Sequence, residues 1–283
     1  LFIERENFEV NFIVEFSVGY AKNRAVRQST GEYLCFCDAD DVSLPTRIHV
    51  QIDRISSCSD PKMAFIGACF RRIPEESTRR FTKWANSLTD CQLYTQVFTS
   101  HGPTLVAPTW LLSRYLFDSV GGFYEDQTNG YPEDLIGAKF IRVDECVVLY
   151  RYHTECTSFG VSEEVIWQMR VQAFEEFVLL KWSAFTIWSA GKQGKRFYRS
   201  LKECNRRKVI AFCDVDSKKI ARGIYEHFDS CSRSITARIP IIPLCEARTP
   251  VAICVKLDLT HGAFEALLDG MHWIEGIDYY HLS

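Results

Sequence analysis

The apolar positions follow two alternating rhythms. Tyr20-Ala-Lys-Asn-Arg-Ala-Val-Arg-Gln-Ser-Thr reads as a short helix stopped by Gly31, and Tyr33-Leu-Cys-Phe-Cys as a compact apolar strand. Ser43 and Pro45 are start signals for a helix carrying Ile48, Ile52 and Ile55. Helix, strand and loop alternate in this way from about 17 to 159. Ser162, followed by Glu163 and Glu164, then opens a helix striped by Val165, Ile166, Met169, Ala173 and Phe177. From about 185 the pattern restarts with strand Phe185-Thr-Ile-Trp, a glycine turn, a basic helix and strand Lys208–Cys213. Strand Val251–Val255, another helix and a closing Asp278-Tyr-Tyr-His follow. Strands alternating with helices predict an α/β protein with parallel sheets in both halves. The expected organisation is a first domain over 1–160, a connecting helix over 161–183 and a Rossmann-like domain over 184–283.

Composition changes this picture little. The 283 residues suffice for two domains, and 47% hydrophobic with 24% charged residues is ordinary for a globular chain. No apolar run approaches the roughly 20 residues that cross a bilayer, so no membrane partner is expected. A net charge of -3 argues against polyanion binding by the chain as a whole. The 12 cysteines show neither zinc-site spacing nor a disulfide framework. Free thiols in a reducing compartment, hence the cytosol, are the expectation.

Candidate chemistry concentrates in Asp38-Ala-Asp40-Asp41, at the end of the strand that begins at Tyr33. Strand periodicity would turn Asp38 and Asp40 to one side, at the sheet edge where open α/β sheets bind ligands. Paired carboxylates there suit a hard divalent cation, Mn or Mg, that leaves positions for water and substrate phosphates. An isolated triplet of this kind usually caps a helix or faces solvent. Between the helix stopped by Gly31 and the helix start at Ser43 and Pro45, however, the metal–diphosphate reading is the expectation, with Asp41 the local structural member.

Ala21-Lys22-Asn23, Gly31-Glu-Tyr33 and Asp38-Ala-Asp40-Asp41 resemble the core signature of glycosyltransferase family 2. The order continues through Gly121-Gly-Phe123, Pro132-Glu133-Asp134 and Tyr150-Arg151-Tyr-His153. The resemblance implies a GT-A type sheet, Rossmann-like in character, and inverting transfer from a UDP-sugar. It implies donor contacts from Ala21, Lys22, Asn23, Asp38, Asp40 and Arg151, and a metal held by Asp38 and Asp40 with His153 as a further ligand. Asp134 would be the general base and Glu133 a sugar or acceptor contact. Acidic dipole stabilisation of a helix start is the plain alternative for that pair; a strand-end histidine and surface arginine are the alternatives for His153 and Arg151. Trp110 would stack on a sugar or simply fill the core. The family's first strands should precede Gly19, and residues 1–16 do not resemble them, so the chain is expected to start inside the domain.

In the second half, Ser189-Ala-Gly191-Lys-Gln-Gly194 resembles a Rossmann turn with its first glycine replaced, and Asp214 and Asp216 stand where an acidic strand end belongs. Between Lys192 and Lys208, Lys195, Arg196, Arg199, Arg206 and Arg207 stand among eight basic residues against Glu203 alone. This local excess suits phosphate contacts, and equally a solvated helix face. Gln96-Val-Phe-Thr-Ser, Ile141-Arg-Val-Asp, Ala184-Phe-Thr-Ile-Trp and Ala211-Phe-Cys-Asp-Val-Asp extend the resemblance to tRNA-modifying galactosyltransferases. That implies galactose transfer from UDP-galactose to the queuosine base of cytosolic tRNA. A UDP-N-acetylglucosamine-dependent enzyme with a glycan acceptor, and a non-catalytic tRNA- or nucleotide-binding remnant, remain open alternatives.

Overall fold

A computed structural model describes residues 17–123, 125, 138–154, 162–229, 233–256, 260 and 262–282. They form two compact units, one running to Tyr94 and resuming over Pro103–Ile166, the other made of Thr95–Gly102 and Trp167–Ser283. In the second unit Phe98 packs edge-on against Phe174, with ring centroids 5.3 Å apart.

In the first unit α1 spans Val18–Arg27, and the Ser17 hydroxyl caps it by accepting the Tyr20 N–H at 3.2 Å. The helix ends at Arg27, short of Gly31. Strand β1 is Tyr33–Cys35, β2 is Val42–Ser43 and α2 is Arg47–Ser56. Ser43 therefore lies in a strand rather than capping the helix, because β2 pairs with Leu149 and Val148. Ile55 is fully buried, whereas Ile48 is exposed. Strand β3 (Ala64–Ile73), α3 (Arg79–Ser87), α4 (Gln92–Thr95), β4 (Leu111–Ser113), α5 (Arg114–Ser119) and β5 (Lys139–Arg151) follow, and α6 (Glu163–Phe177) belongs from Trp167 onward to the second unit.

The sheet order is β1-β4-β3-β5-β2. Among the described residues only β3 and β5 pair in parallel here; β4 runs against both its neighbours and β2 runs against β5. The all-parallel expectation thus fails in this half, since apolar alternation does not encode strand direction. One layer of core holds Ile55, Ile66, Phe70 and Val147; another holds Leu34, Phe65, Leu93 and Leu116. Each such side chain contributes about 1.5–3 kcal/mol by leaving water.

The second unit contains β6 (Phe185–Trp188), α7 (Lys192–Ser200), α8 (Glu203–Arg206), β7 (Val209–Asp214), α9 (Ser217–Ile220), β8 (Ile224–Asp229), β9 (Ser234–Pro243), β10 (Val251–Ile253), α10 (Ala263–Met271) and β11 (Tyr279–His281). Its order is β11-β10-β6-β7-β9-β8. Among the described residues all its pairings are parallel except the β8–β9 hairpin, which the sequence reading does not include. The Ser162 hydroxyl accepts the Val165 N–H at the start of α6, as its position suggests. Its buried face is Trp167, Val171 and Phe174, displaced from the expected stripe, and Phe177 is exposed. Apolar residues occur on two sides of this helix, so periodicity alone does not choose between them.

Candidate functional site

The sheet order dictates where the aspartates lie. Strands β1 and β2 occupy opposite edges, so the short link between them must cross the end of the sheet. It does so at the carboxyl ends of β1, β3 and β5. The Phe36 N–H donates to the Trp110 carbonyl at one side, and the Leu44 N–H donates to the Val147 carbonyl at the other. Beneath it, fully buried Arg47 donates to the Phe36 carbonyl at 2.6 Å and to Gln51 at 3.0 Å. Strand β1 stops at Cys35, so Asp38 to Asp41 form a turn closed by Asp41 N–H to Asp38 carbonyl at 3.2 Å. Strand alternation therefore does not aim Asp38 and Asp40.

Each carboxylate of the turn has a different partner. Asp38 Oδ1 meets Lys22 Nζ at 2.7 Å, and Asp40 Oδ2 meets His153 Nε2 at 2.7 Å. The His153 contact holds the Asp40 carboxyl below its usual range. Asp41 Oδ1 accepts the Arg151 N–H at 2.8 Å, tying the turn to the end of β5, as befits its structural role. Its Oδ2 is buried without a hydrogen-bond partner. Burial, reinforced by the charges of Asp38 and Asp40, raises the Asp41 carboxyl to about 6 against the opposing Arg151 N–H bond and the Arg72 charge.

Lys22, Asp38, Asp40, Arg151 and His153 are thus brought to one edge. Ala21 is exposed on the same helix as Lys22. Asn23 is otherwise engaged. Its amide nitrogen donates to the Phe123 carbonyl at 2.8 Å and to Glu125 at 2.9 Å, and its oxygen accepts the Phe123 N–H at 2.9 Å. It clamps the turn in which Gly121 and Gly122 adopt positive φ. Glu133 and Asp134 lie outside the described residues. Trp110 belongs to the core: its indole N–H donates to the Leu105 carbonyl, and its ring meets Phe65 at 4.9 Å.

Sequence reasoning passes over Arg72. The signal is present, because alternation from buried Phe70 turns Arg72 inward and Arg71 outward. The guanidinium carbon lies 3.8 Å from the centre of the Tyr150 ring.

In the second unit, Arg196 stacks 4.3 Å from the centre of the Trp167 ring, Arg206 contacts His227 at 2.9 Å, and Arg207 pairs with Glu203. Lys195 lies near Arg222, Arg199 and Lys219, whose charges add to burial in lowering its pKa. Asp214 accepts the Ala190 N–H, the Val215 N–H, the Asp216 N–H and Lys219. Its oxygens brace the Rossmann-like turn, and Asp216 caps α9. A Cβ on Gly194 would stand 1.9 Å from the Ser189 carbonyl oxygen, so helix and strand approach as closely here as glycine alone allows.

A hollow of about 740 Å³ elsewhere in the first unit is lined by Asp53, Asp90, Asp144 and Glu145 among others, the wrong charge for a diphosphate. Among the described residues no three His, Cys, Asp or Glu side chains converge on a metal position. Asp40 and His153, in mutual contact and each more than two-fifths exposed, do fit a divalent cation whose other ligands come from a diphosphate and water. The ten cysteines among the described residues are unpaired. No described helix is long and apolar enough to cross a membrane.

Residues 14–121 match the family model described as glycosyl transferase family 2. The matched segment holds α1, the aspartate turn and Gly121, and ends before Glu133. The match supports a glycosyltransferase domain in this part of the chain, and with the mixed α/β sheet it fits a GT-A, Rossmann-like fold. No solved structure matches the chain.

Proposed function

We propose that this protein transfers a hexose, galactose by resemblance to queuosine-tRNA galactosyltransferase, from a UDP-sugar to the queuosine base of cytosolic tRNA. The observation that carries the glycosyl-transfer part is the aspartate turn at the carboxyl edge of the sheet, with Lys22 on one carboxylate and His153 on another. Asp40 and His153 would hold a Mn or Mg ion, while Asp38 is engaged by Lys22, and the ion would neutralise charge on the donor diphosphate. Lys22 and Arg151 place further positive charge where the leaving group departs. Ala21 leaves the exposed face of α1 open to the nucleotide. Asn23 contributes by fixing the Gly121–Phe123 turn.

The reaction balances simply. An acceptor hydroxyl oxygen attacks the anomeric carbon, and the bond from that carbon to the diphosphate breaks with its electron pair leaving on UDP. The hydroxyl proton passes to the general base, for which Asp134 is the candidate, with Glu133 contacting sugar or acceptor. Attack opposite the leaving group inverts the anomeric centre.

The acceptor part rests on the resemblance and on the basic face of the second unit. Lys195 and Arg199 make no ion pair among the described residues, and with Arg196, Arg206 and Arg207 they present cations suited to phosphates. The test is transfer of radiolabelled sugar from UDP-galactose and UDP-N-acetylglucosamine to queuosine-containing tRNA with Mn²⁺ present. Galactose transfer abolished by Asp40→Ala supports the reading. Transfer only from UDP-N-acetylglucosamine overturns the sugar. Donor binding without transfer, or tRNA binding without donor binding, marks a binding remnant.

A further inference from the structure

Buried polar atoms of Asp41 and Arg72 lack hydrogen-bond partners. Arg72, near the carboxyl end of β3, is 8% exposed, yet its Nε and Nη1 have no hydrogen-bond partner. Among the described residues no carboxylate pairs with it. Four aromatic rings surround the guanidinium carbon, with centres at 3.8 Å (Tyr150), 5.2 Å (Tyr152), 5.5 Å (Phe70) and 5.6 Å (Phe81). Cation–π attraction offsets part of the desolvation cost but leaves the Nε and Nη1 donors unsatisfied. Asp41 Oδ2 is buried and unpartnered as well, and Arg72 is near enough for its charge to act on Asp41. Thr78 and Thr82, one turn apart and flanking Phe81 in sequence, also bury hydroxyls without partners.

Buried polar groups are almost always paired, so this concentration of unpaired ones needs an explanation. Arg72 pairs in register with Tyr150, and Asp41 Oδ1 accepts the N–H of the next residue, Arg151. Donor N–H groups and an acceptor oxygen are thus held at the same end of β5 and match a group that both accepts and donates. A hydroxyl does both, and a phosphate oxygen beside the Asp41 carboxylate does not. Aromatic rings flanking such a pair suit the apolar face of a sugar. We propose that Arg72, with Asp41 Oδ2, binds a sugar hydroxyl of the nucleotide-sugar donor, Tyr150 and Tyr152 walling the position. This rests on the donor site proposed above and adds a binding residue to it. The hydroxyl belongs either to the ribose or to the transferred hexose.

The experiment is calorimetric titration of the full chain with UDP-galactose, UDP, 2′-deoxyuridine diphosphate and pyrophosphate, Mn²⁺ present, before and after Arg72→Met. Losing a charge-assisted hydrogen bond should weaken UDP-galactose about 10–100-fold. The melting temperature should stay level or rise, since methionine removes an unpaired buried charge. Weakening of UDP-galactose alone places the hydroxyl on the hexose. Weakening of UDP but not of the deoxy analogue places it on the ribose. Equal affinity of wild type and Arg72→Met for UDP-galactose, with Asp40→Ala losing it, overturns the inference and leaves the donor site standing. Weakening reproduced with pyrophosphate overturns the hydroxyl in favour of a phosphate. No binding of any donor by the wild type overturns both readings. Arg72→Lys, which keeps charge and stem but loses the fork, is the second variant and should show the same weakening should the methionine form not fold.

Discussion

Asn23 separates a ligand-contacting role from a structural one. The family resemblance gives it to the nucleotide, whereas its side chain, 7% exposed, is spent on Phe123 and Glu125. Asn23→Ala removes three hydrogen bonds of 2.8–2.9 Å and leaves the Phe123 N–H and carbonyl without their partners. Each stranded backbone group costs about 1–3 kcal/mol, and Phe123 is half-buried, so water recovers part. The expected loss is about 2–4 kcal/mol, or about 5–15 °C in melting temperature for a unit of this size. Thermal and urea unfolding followed by tryptophan fluorescence measure it. Gly122→Ala provides a cross-check, because its Cβ would stand 2.8 Å from Asn23 Oδ1 at a φ of +81°. The two substitutions strain the same clamp, so their effects should not add. A melting temperature within about 1 °C of wild type for Asn23→Ala, together with weakened UDP binding, would refute the clamp and return Asn23 to the nucleotide.

Other expectations follow from single contacts. His153→Ala should weaken Mn²⁺-dependent UDP binding about 10-fold or more while leaving Mn²⁺-free binding nearly unchanged; equal losses in both conditions would remove His153 from the metal. Gly194→Ala should destabilise the second unit by about 3 kcal/mol or more, because the clash is with backbone; an unshifted urea midpoint would contradict the close approach. Burial lowers the pKa of His281, an effect that nearby Glu275 and Glu265 only partly oppose. Below pH about 6.5 the unfolded chain therefore binds more protons than the folded one, and stability falls as the pH drops from there toward the folded value. His281→Phe should flatten that part of a urea-midpoint profile between pH 8 and 5, and an unchanged slope would exclude the histidine as its cause. Replacing Lys195 and Arg199 with Glu should weaken tRNA binding and make its salt dependence shallower by about 2 logarithmic units per decade, where catalysis on a free queuosine nucleoside should be unaffected.

The elements that sequence reasoning places well are those with both period and punctuation. Helix α6 begins where Ser162 and the two glutamates put it, and β6, β7 and β11 fall within a residue or two of their apolar runs. Boundaries slip where tertiary pairing competes with a local signal. Ser43 is a good helix cap in isolation, but a place in a ladder with β5 claims its backbone. The β8–β9 hairpin goes unseen because His227 and Glu226 dilute its alternation, though Tyr225 and His227 do face inward and Ile224, Glu226 and Phe228 outward. The excursion of residues 95–102 into the second unit leaves no mark in periodicity at all, because it depends on what Phe98 meets far along the chain.

The site shows the same division between identity and direction. Acidic residues after a short apolar strand are legible as chemistry, and the edge of the sheet is where they lie. Their partners are not legible, since the pairings of Asp38 with Lys22 and of Asp40 with His153 are set by a link that must span the whole sheet end. That same crossing buries Asp41 Oδ2 and passes close to Arg72. Folding leaves Asp41 Oδ2 and two Arg72 nitrogens buried without hydrogen-bond partners, and a ligand that bridged them would gain both hydrogen bonds at once. Affinity for a hydroxyl-bearing donor would then come from satisfying groups that folding alone leaves unsatisfied, which makes the free protein less stable at this edge than the liganded one. Saturating UDP-galactose should accordingly raise the melting temperature of the wild type more than that of Arg72→Met, and an equal rise in the two would show that the ligand does not complete this cluster.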